Sequence, residues 1–350
     1  MSRTTTQMES IADKPPRIAV LIPCYNEEPT VGEVVAAFQA ELPTARIYVF
    51  DNNSTDRTVA CAQAAGATVL REQRQGKGFV VQSMFRRVEA DVYIMVDGDG
   101  TYPAAEVHRL LAPVIADEAD MVVGSRLHAA TQSEFRQLNR WANRLVLALL
   151  NSIFKVHLTD ILSGYRAFNR RFVKGLPLFG GGFEIETELT IKAVARGMRI
   201  VEVPTTLTSR PEGSHSKIKF FRDGALILNT ILALFRDYKP LTFFGTVGIA
   251  LLVMALVCGL LSVVDSVSRR GGARLPLAVL GVGLVLCGLL SLTVGLILHS
   301  IARRSQEFDY QLQVLTDEMR AGLGARAVDA AANHERSAAA PHGDRSGTAG

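Results

Sequence analysis

Apolar positions in the first two hundred residues fall in short runs broken by polar loops. Arg17–Ile22 is such a run, as are Arg46–Phe50, Ala67–Leu70, Val92–Val96, Met121–Val123 and Met198–Val203. Runs of this length, rich in β-branched and aromatic residues, predict buried strands. Between them the spacing becomes helical. Thr30–Leu42 carries Val31, Val34, Val35 and Phe38 on one face, and helical stretches follow up to Ala65, from Gly78 to about Val88, and over Ala105–Ala116. Thr30 followed by Glu33 has the spacing of a capping box. Strand, polar loop and helix in alternation, with short connections, predict a doubly wound, mostly parallel, Rossmann-like α/β sheet. Such sheets bind ligands beyond the carboxyl ends of their strands. The loops that fall there are Pro23–Glu28, Asp51–Asp56, Arg74–Gly78 and Asp97–Gly100, rich in Asp, Asn, Glu and Gly.

The pattern then changes. Leu138–Phe154 is amphipathic, with Trp141, Leu145, Leu149 and Ile153 on one face and Arg136, Arg140 and Arg144 a turn apart. A basic helix bearing Trp suits a membrane surface, and an ordinary packed helix explains it as well. Ile218–Arg236 is a second amphipathic helix. Leu241–Val264 and Leu275–Leu298, 24 residues each, hold no charged side chain. As helices they reach about 36 Å, against a hydrocarbon core of about 30 Å, which predicts a transmembrane hairpin. The expected organisation is a flexible 1–16, a catalytic 17–210, a basic loop and juxtamembrane helix over 211–240, a hairpin over 241–301, a charged helix over 302–320, and a disordered 321–350. Small residues four apart, Ala255/Gly259 and Ser291/Gly295, permit close packing within the hairpin or between protomers, leaving homo-oligomers open.

Charge and cysteine content narrow the function. A formal net charge of +4, without a basic cluster interleaved with aromatics, gives no footprint for nucleic acid. Cys24, Cys61, Cys258 and Cys287 have no C-x-x-C spacing, which excludes a zinc site or disulfide framework of the usual kind. Met1–Pro16 has no apolar core of a signal peptide, so the soluble part is expected in the cytosol. Arginines on both sides of the hairpin leave the positive-inside rule nearly silent.

The candidate chemistry centres on Asp97-Gly98-Asp99. Two carboxylates separated by a glycine at a strand end form a turn, or they supply hard oxygen ligands to Mg²⁺ or Mn²⁺. Gly76-Lys77-Gly78 is a short motif able to bring a cation and backbone N–H groups to phosphate. Glu184, Glu186 and Glu188 enrich a helix start with acid, which the helix dipole favours, and Glu184 and Glu188 can share one face.

In order along the chain stand Pro23-Cys24-Tyr25-Asn26-Glu27, Asp51-Asn52-Asn53-Ser54-Thr55-Asp56, Asp97-Gly98-Asp99, Gly124-Ser125-Arg126, Ser163-Gly164-Tyr165-Arg166 and Ser216-Lys217. This set resembles the family 2, GT-A fold glycosyltransferases. The likeness is closest to dolichyl-phosphate mannose synthases and bacterial polyprenyl-phosphate relatives with two C-terminal transmembrane helices, and it covers about Arg17–Ile301. The resemblance implies that Pro23, Tyr25, Glu27 and Asp51 hold the nucleoside of a UDP- or GDP-linked sugar. It implies that Asp97 and Asp99, with Gly98 between them, hold the metal against the diphosphate. Arg126, Arg210 and Lys217 would serve diphosphate and acceptor phosphate, with Ser163 and Arg166 on the acceptor side. By the same likeness Asp99, Arg126 and Lys217 carry catalysis at the cytosolic face of the inner membrane.

Two departures stand out. The family often has two acids where this chain has Asp51-Asn52, and the Arg210–Lys217 interval is one residue longer. Gln137-Leu138-Asn139-Arg140-Trp141 spells the Q-x-x-R-W of processive polysaccharide synthases, but no Thr-Glu-Asp precedes it. A glycolipid or polysaccharide acceptor and a membrane-anchored nucleotidyltransferase remain the alternatives.

Overall fold

Seven strands form one sheet: β1 (Ile18–Cys24), β2 (Arg46–Asp51), β3 (Thr68–Arg71), β4 (Val92–Met95), β5 (Met121–Ser125), β6 (Arg166–Asn169) and β7 (Ile200–Pro204). The computed structural model describes residues 15–126, 147, 148, 150–208, 220–268 and 275–338. The spatial order is β3-β2-β1-β4-β6-β5-β7. All pairings are parallel except those of β6, which runs antiparallel to β4 and β5. The expected α/β sheet, doubly wound and mostly parallel, is therefore present. The apolar-run pattern misses β6, a four-residue strand that begins with Arg and ends with Asn.

The period-2 alternation sorts strand side chains to two faces. Val20, Ile22, Ile94 and Val96 pack with α1 (Val31–Glu41), α2 (Thr58–Ala64) and α4 (Val107–Ile115). Ala19, Leu21, Tyr93 and Met95 pack on the opposite face with α3 (Lys77–Arg87), α5 (Arg170–Gly175) and α6 (Ile185–Ala195). Helices on both faces explain why these strands read as unbroken apolar runs.

Thr30 does not cap α1 as its spacing with Glu33 suggests. Its hydroxyl donates to the Gly98 carbonyl at 2.6 Å, so a buried long-range bond outcompetes the local one. The helix start is thereby tied to the Asp97–Asp99 loop.

The chain divides into two compact units, Met1–Phe235 and Arg236–Gly350. Helix α7 (Phe220–Tyr238) crosses the division, and α8 (Pro240–Ser268) and α9 (Leu275–Ala338) make up the second unit. Pro240–Val267 and Leu275–Ser305 are long and apolar enough to cross a membrane. They pack closely at Gly248 and Gly288, where an added Cβ on Gly248 would lie 2.9 Å from the Gly288 carbonyl. Ser291 donates to the Phe244 carbonyl at 2.8 Å, and Gly295 faces Phe244. The Ser291/Gly295 pair thus lies in the seam, and so does Ala255, which is buried and whose carbonyl would lie 3.6 Å from a Cβ added to Gly281. The charged stretch 302–320 is no separate helix, and 321–338 is not coil: α9 runs through both. Alanine, arginine and glutamate are strong helix formers, and composition alone misread them. Most of the predicted Leu138–Phe154 helix, including Gln137–Trp141, lies outside the described residues.

Candidate active site

Loops after β1, β2, β3 and β4 meet at the carboxyl edge of the sheet. Because β6 is reversed, the turn 159–165 that feeds it arrives at that edge too. The β1 and β2 loops are stitched together. Asn26, at φ +52°, accepts from the Thr55 N–H at 2.8 Å, its own N–H donates to the Ser54 hydroxyl, and the Glu27 N–H donates to the Thr58 hydroxyl. Asp51 is buried and accepts from the Ser54 N–H at 3.1 Å. Pro23, Tyr25, Glu27 and Asp51 therefore share one neighbourhood at the carboxyl edge.

Asn52 explains the missing family acid. Its amide donates to the Glu72 and Arg74 carbonyls at 3.0 and 2.8 Å and accepts from the Gly76 N–H at 2.7 Å. A carboxylate, which only accepts, cannot make the first two bonds. Glu72 beside this knot is held down to about 2 by the Arg74 side chain and N–H. A carboxylate depressed in the fold stabilises it above its unfolded value of about 4 and loses that contribution as pH falls toward the folded one. Stability should fall between about pH 5 and 2, and Glu72→Gln should flatten that decline in urea melts. Equal slopes for the two proteins would remove the assignment.

The Gly76-Lys77-Gly78 motif does something other than cradle phosphate with its backbone. The Gly78 N–H donates to the Gly181 carbonyl at 3.1 Å. A Cβ on Gly78 would sit 2.1 Å from the Gly180 carbonyl, so glycine is required by backbone contact. The facing loop is itself tied down by acid. Glu184 accepts from the Gly181 and Gly182 N–H groups, and Glu188 from those of Phe179 and Gly180 while pairing with Lys192. The acidic helix start thus splits: Glu184 and Glu188 hold a loop, and Glu186 enters the site. Lys77 lies between Asp97, at 2.6 Å, and Glu186, at 2.5 Å. Burial pushes the Lys77 ammonium down, but the two carboxylates outweigh it and hold the group charged.

Asp97 and Asp99 flank a glycine that has no room to be anything else: a Cβ on Gly98 would lie 2.6 Å from Cys24 Sγ. Asp99 is buried and accepts from the Thr101 hydroxyl at 2.7 Å. Across the site Gly164 abuts the Asp97 carboxylate, and its N–H donates to the Tyr102 hydroxyl at 3.1 Å. Burial raises the Tyr102 phenol above its ordinary value, so it stays protonated.

Arg126 forms a two-pronged pair with Asp160, Nε to Oδ2 at 2.7 Å and Nη2 to Oδ1 at 2.9 Å. Burial pushes its guanidinium down, but the Asp160 carboxylate outweighs that and keeps it charged. Ser163 and Arg166 are both fully buried. The Arg166 guanidinium donates to the Ile161 and Ser163 carbonyls at 2.7 and 2.9 Å and to the Thr190 hydroxyl at 2.9 Å, which makes it the internal brace of the 159–165 turn. After β7 the chain returns to the acid loop, where the Thr208 N–H donates to the Thr101 carbonyl at 3.0 Å. Arg210 and Lys217 beyond it lie outside the described residues. Glu186 and Asp160 are the site groups that sequence motifs passed over. Their partners are distant in sequence, and only Glu186's place in an acidic run signalled it.

Residues 19–176 match the family described as glycosyl transferase family 2. The glycosyltransferase AglJ of Haloferax volcanii is 35% identical over 284 residues, spanning 79% of this chain and 93% of its own. The undecaprenyl-phosphate mannosyltransferase of Micrococcus luteus is 28% identical over 229 residues, spanning 61% and 92%. Glucosyl-3-phosphoglycerate synthase from Mycobacterium tuberculosis, solved with Mn²⁺, UDP-glucose and phosphoglyceric acid, shares the fold at a TM-score of 0.54 and 22% identity, over 64% of this chain and 82% of that one. The acid loop at the carboxyl edge of a mixed sheet thus sits in a glycosyltransferase. The chain belongs to glycosyl transferase family 2.

Proposed function

We propose that the protein transfers one sugar from a UDP- or GDP-linked donor to a polyprenyl phosphate, with inversion at the anomeric carbon. The observation that carries this is the combination of the Asp97–Asp99 loop with two membrane-length helices in one chain. Relatives that span most of their own length here include an undecaprenyl-phosphate mannosyltransferase.

The donor set fits Mg²⁺ or Mn²⁺, since both side chains offer hard carboxylate oxygens. Among the described residues no group of three or more His, Cys, Asp or Glu gathers, so the diphosphate and water would complete the shell. When bound, the ion stabilises the charge that develops on the leaving diphosphate. The chain's own groups do the rest. Pro23, Tyr25, Glu27 and Asp51 hold the nucleoside. Arg126, aligned by Asp160, offers its remaining guanidinium edge to phosphate, joined by Arg210 and Lys217. A lipid phosphate is already anionic at neutral pH, so its attack needs orientation and charge neutralisation more than a strong base. The hairpin anchors the chain in the cytoplasmic membrane, with the catalytic unit in the cytosol.

The test is a donor screen in membranes supplied with undecaprenyl phosphate. The expected product partitions into organic solvent, is cleaved by mild acid, and forms with release of a nucleoside diphosphate. A product stable to mild acid would move the acceptor to a glycolipid or polysaccharide, and release of pyrophosphate would make the enzyme a nucleotidyltransferase.

A further inference from the structure

Lys77 is the feature that the proposed chemistry leaves over. Its side chain is 12% exposed, and its ammonium bridges Asp97, 27% exposed, and Glu186, 4% exposed. The two carboxylates differ in what they can give up. Glu186 is buried, and among the described residues Lys77 is its only ion-pair partner. Leaving it alone would strand a buried charge, which is strongly destabilising. Asp97 is more exposed and lies in the loop read above as the metal site. Lys77 itself is fixed at its base, because Gly76 and Gly78 on either side are locked against the backbone of Gly180 and Gly181. The side chain is therefore rooted beside both carboxylates.

We infer that Lys77 is a built-in counter-cation that competes with the divalent ion for Asp97, so that the division of Lys77 between Asp97 and Glu186 sets metal affinity. This rests on the reading of Asp97 and Asp99 as metal ligands. When the ion takes Asp97, Lys77 stays with Glu186. When Asp97 is without it, the same ammonium neutralises the carboxylate and keeps the acid loop from collapsing or repelling its neighbours. Two positive centres then share one edge of the site, and their mutual repulsion lowers metal affinity.

The inference predicts opposite shifts for two variants of the full chain in detergent. Lys77→Met with Glu186→Gln removes one positive and one negative charge, so the local net charge is unchanged while Asp97 loses its competitor. Mn²⁺ affinity should rise about tenfold or more, since even partial relief of a like-charge contact at this range exceeds about 1.4 kcal/mol. Glu186→Gln alone drives Lys77 wholly onto Asp97, and affinity should fall by about the same factor. Lys77→Met alone is avoided because it strands Glu186. Binding is read from free Mn²⁺ by electron paramagnetic resonance, without nucleotide and then with saturating uridine or guanosine diphosphate. Asp99→Asn separates the two layers of the reading. If wild type and Asp99→Asn bind Mn²⁺ alike, or neither binds it, the metal site itself is wrong. If Asp99→Asn loses binding but the double variant fails to tighten it, or Glu186→Gln strengthens it, the competition is wrong and the site stands.

Discussion

Replacing Gly164 with alanine should cut sugar transfer by about a hundredfold or more while the protein remains folded. The new Cβ would fall 2.3 Å from Asp97 Oδ2, 2.6 Å from its Cγ and 2.7 Å from Oδ1. Those atoms end a side chain, so the clash is relieved by turning the Asp97 carboxylate away, at little cost to the core. The direction of escape is what matters. A displaced Asp97 leaves Lys77 and the position from which it would hold the metal. Catalysis of this kind depends on placement, and an error of about an ångström in a reacting group costs about two orders of magnitude. Initial rates at saturating donor and Mn²⁺, paired with a thermal melt, make the comparison. Gly175→Ala is the control, because its Cβ would meet nothing within 4 Å. A Gly164→Ala enzyme with a normal rate would show that Asp97 is not used.

Asp160→Ala should instead destabilise the fold, toward the lower end of about 3–5 kcal/mol. Asp160 is 4% exposed and accepts from the Arg126 side chain twice, from the Arg126 N–H at 3.1 Å and from the Leu162 N–H at 3.0 Å. Removing it leaves a guanidinium uncompensated and frees the turn that carries Ser163 and Gly164. Arg126 is 31% exposed, so water relieves part of the penalty and the loss stays below that of a fully buried pair. The surface pair Arg199–Asp117 is the contrast. Asp117 is 83% exposed, and Asp117→Asn, which keeps a residue suited to its φ of +54°, should change stability by about 1 kcal/mol or less. Urea denaturation of the full chain, followed by a probe in the Met1–Phe235 unit, measures both. Equal effects would mean that burial is not what gives the Arg126–Asp160 pair its weight.

The parallel strands were legible as apolar runs, most clearly β1, β4 and β5, which are largely buried, whereas β3 and β7 at the two edges of the sheet are at most partly buried. β6 was not legible, because its first residue is an arginine whose charge is satisfied by carbonyls from its own turn. The Asp97–Asp99 loop was legible from its composition and its place at a strand end. Lys77, by contrast, looked like a phosphate cradle, since a short Gly-Lys-Gly gives no hint that its glycines face another glycine loop far along the chain. Thr30 shows the same limit on a smaller scale. Local spacing favours a capping bond, but the fold offers its hydroxyl the Gly98 carbonyl in the Asp97–Asp99 loop. Arg166 shows another limit: nothing in its local spacing foretells that its guanidinium is buried and braces its own turn.

The reversal of β6 has a consequence for how such a protein can diversify. With β5 running out toward the ligand edge and β6 running back from it, the polypeptide between them departs and returns on the same side of the sheet. Its two ends are fixed, Arg126 against Asp160 and Gly164 against the Asp97 carboxylate, so chain can be inserted between those anchors without altering the pairing of any strand. Strand order thus supplies a rigid frame with one interchangeable insert.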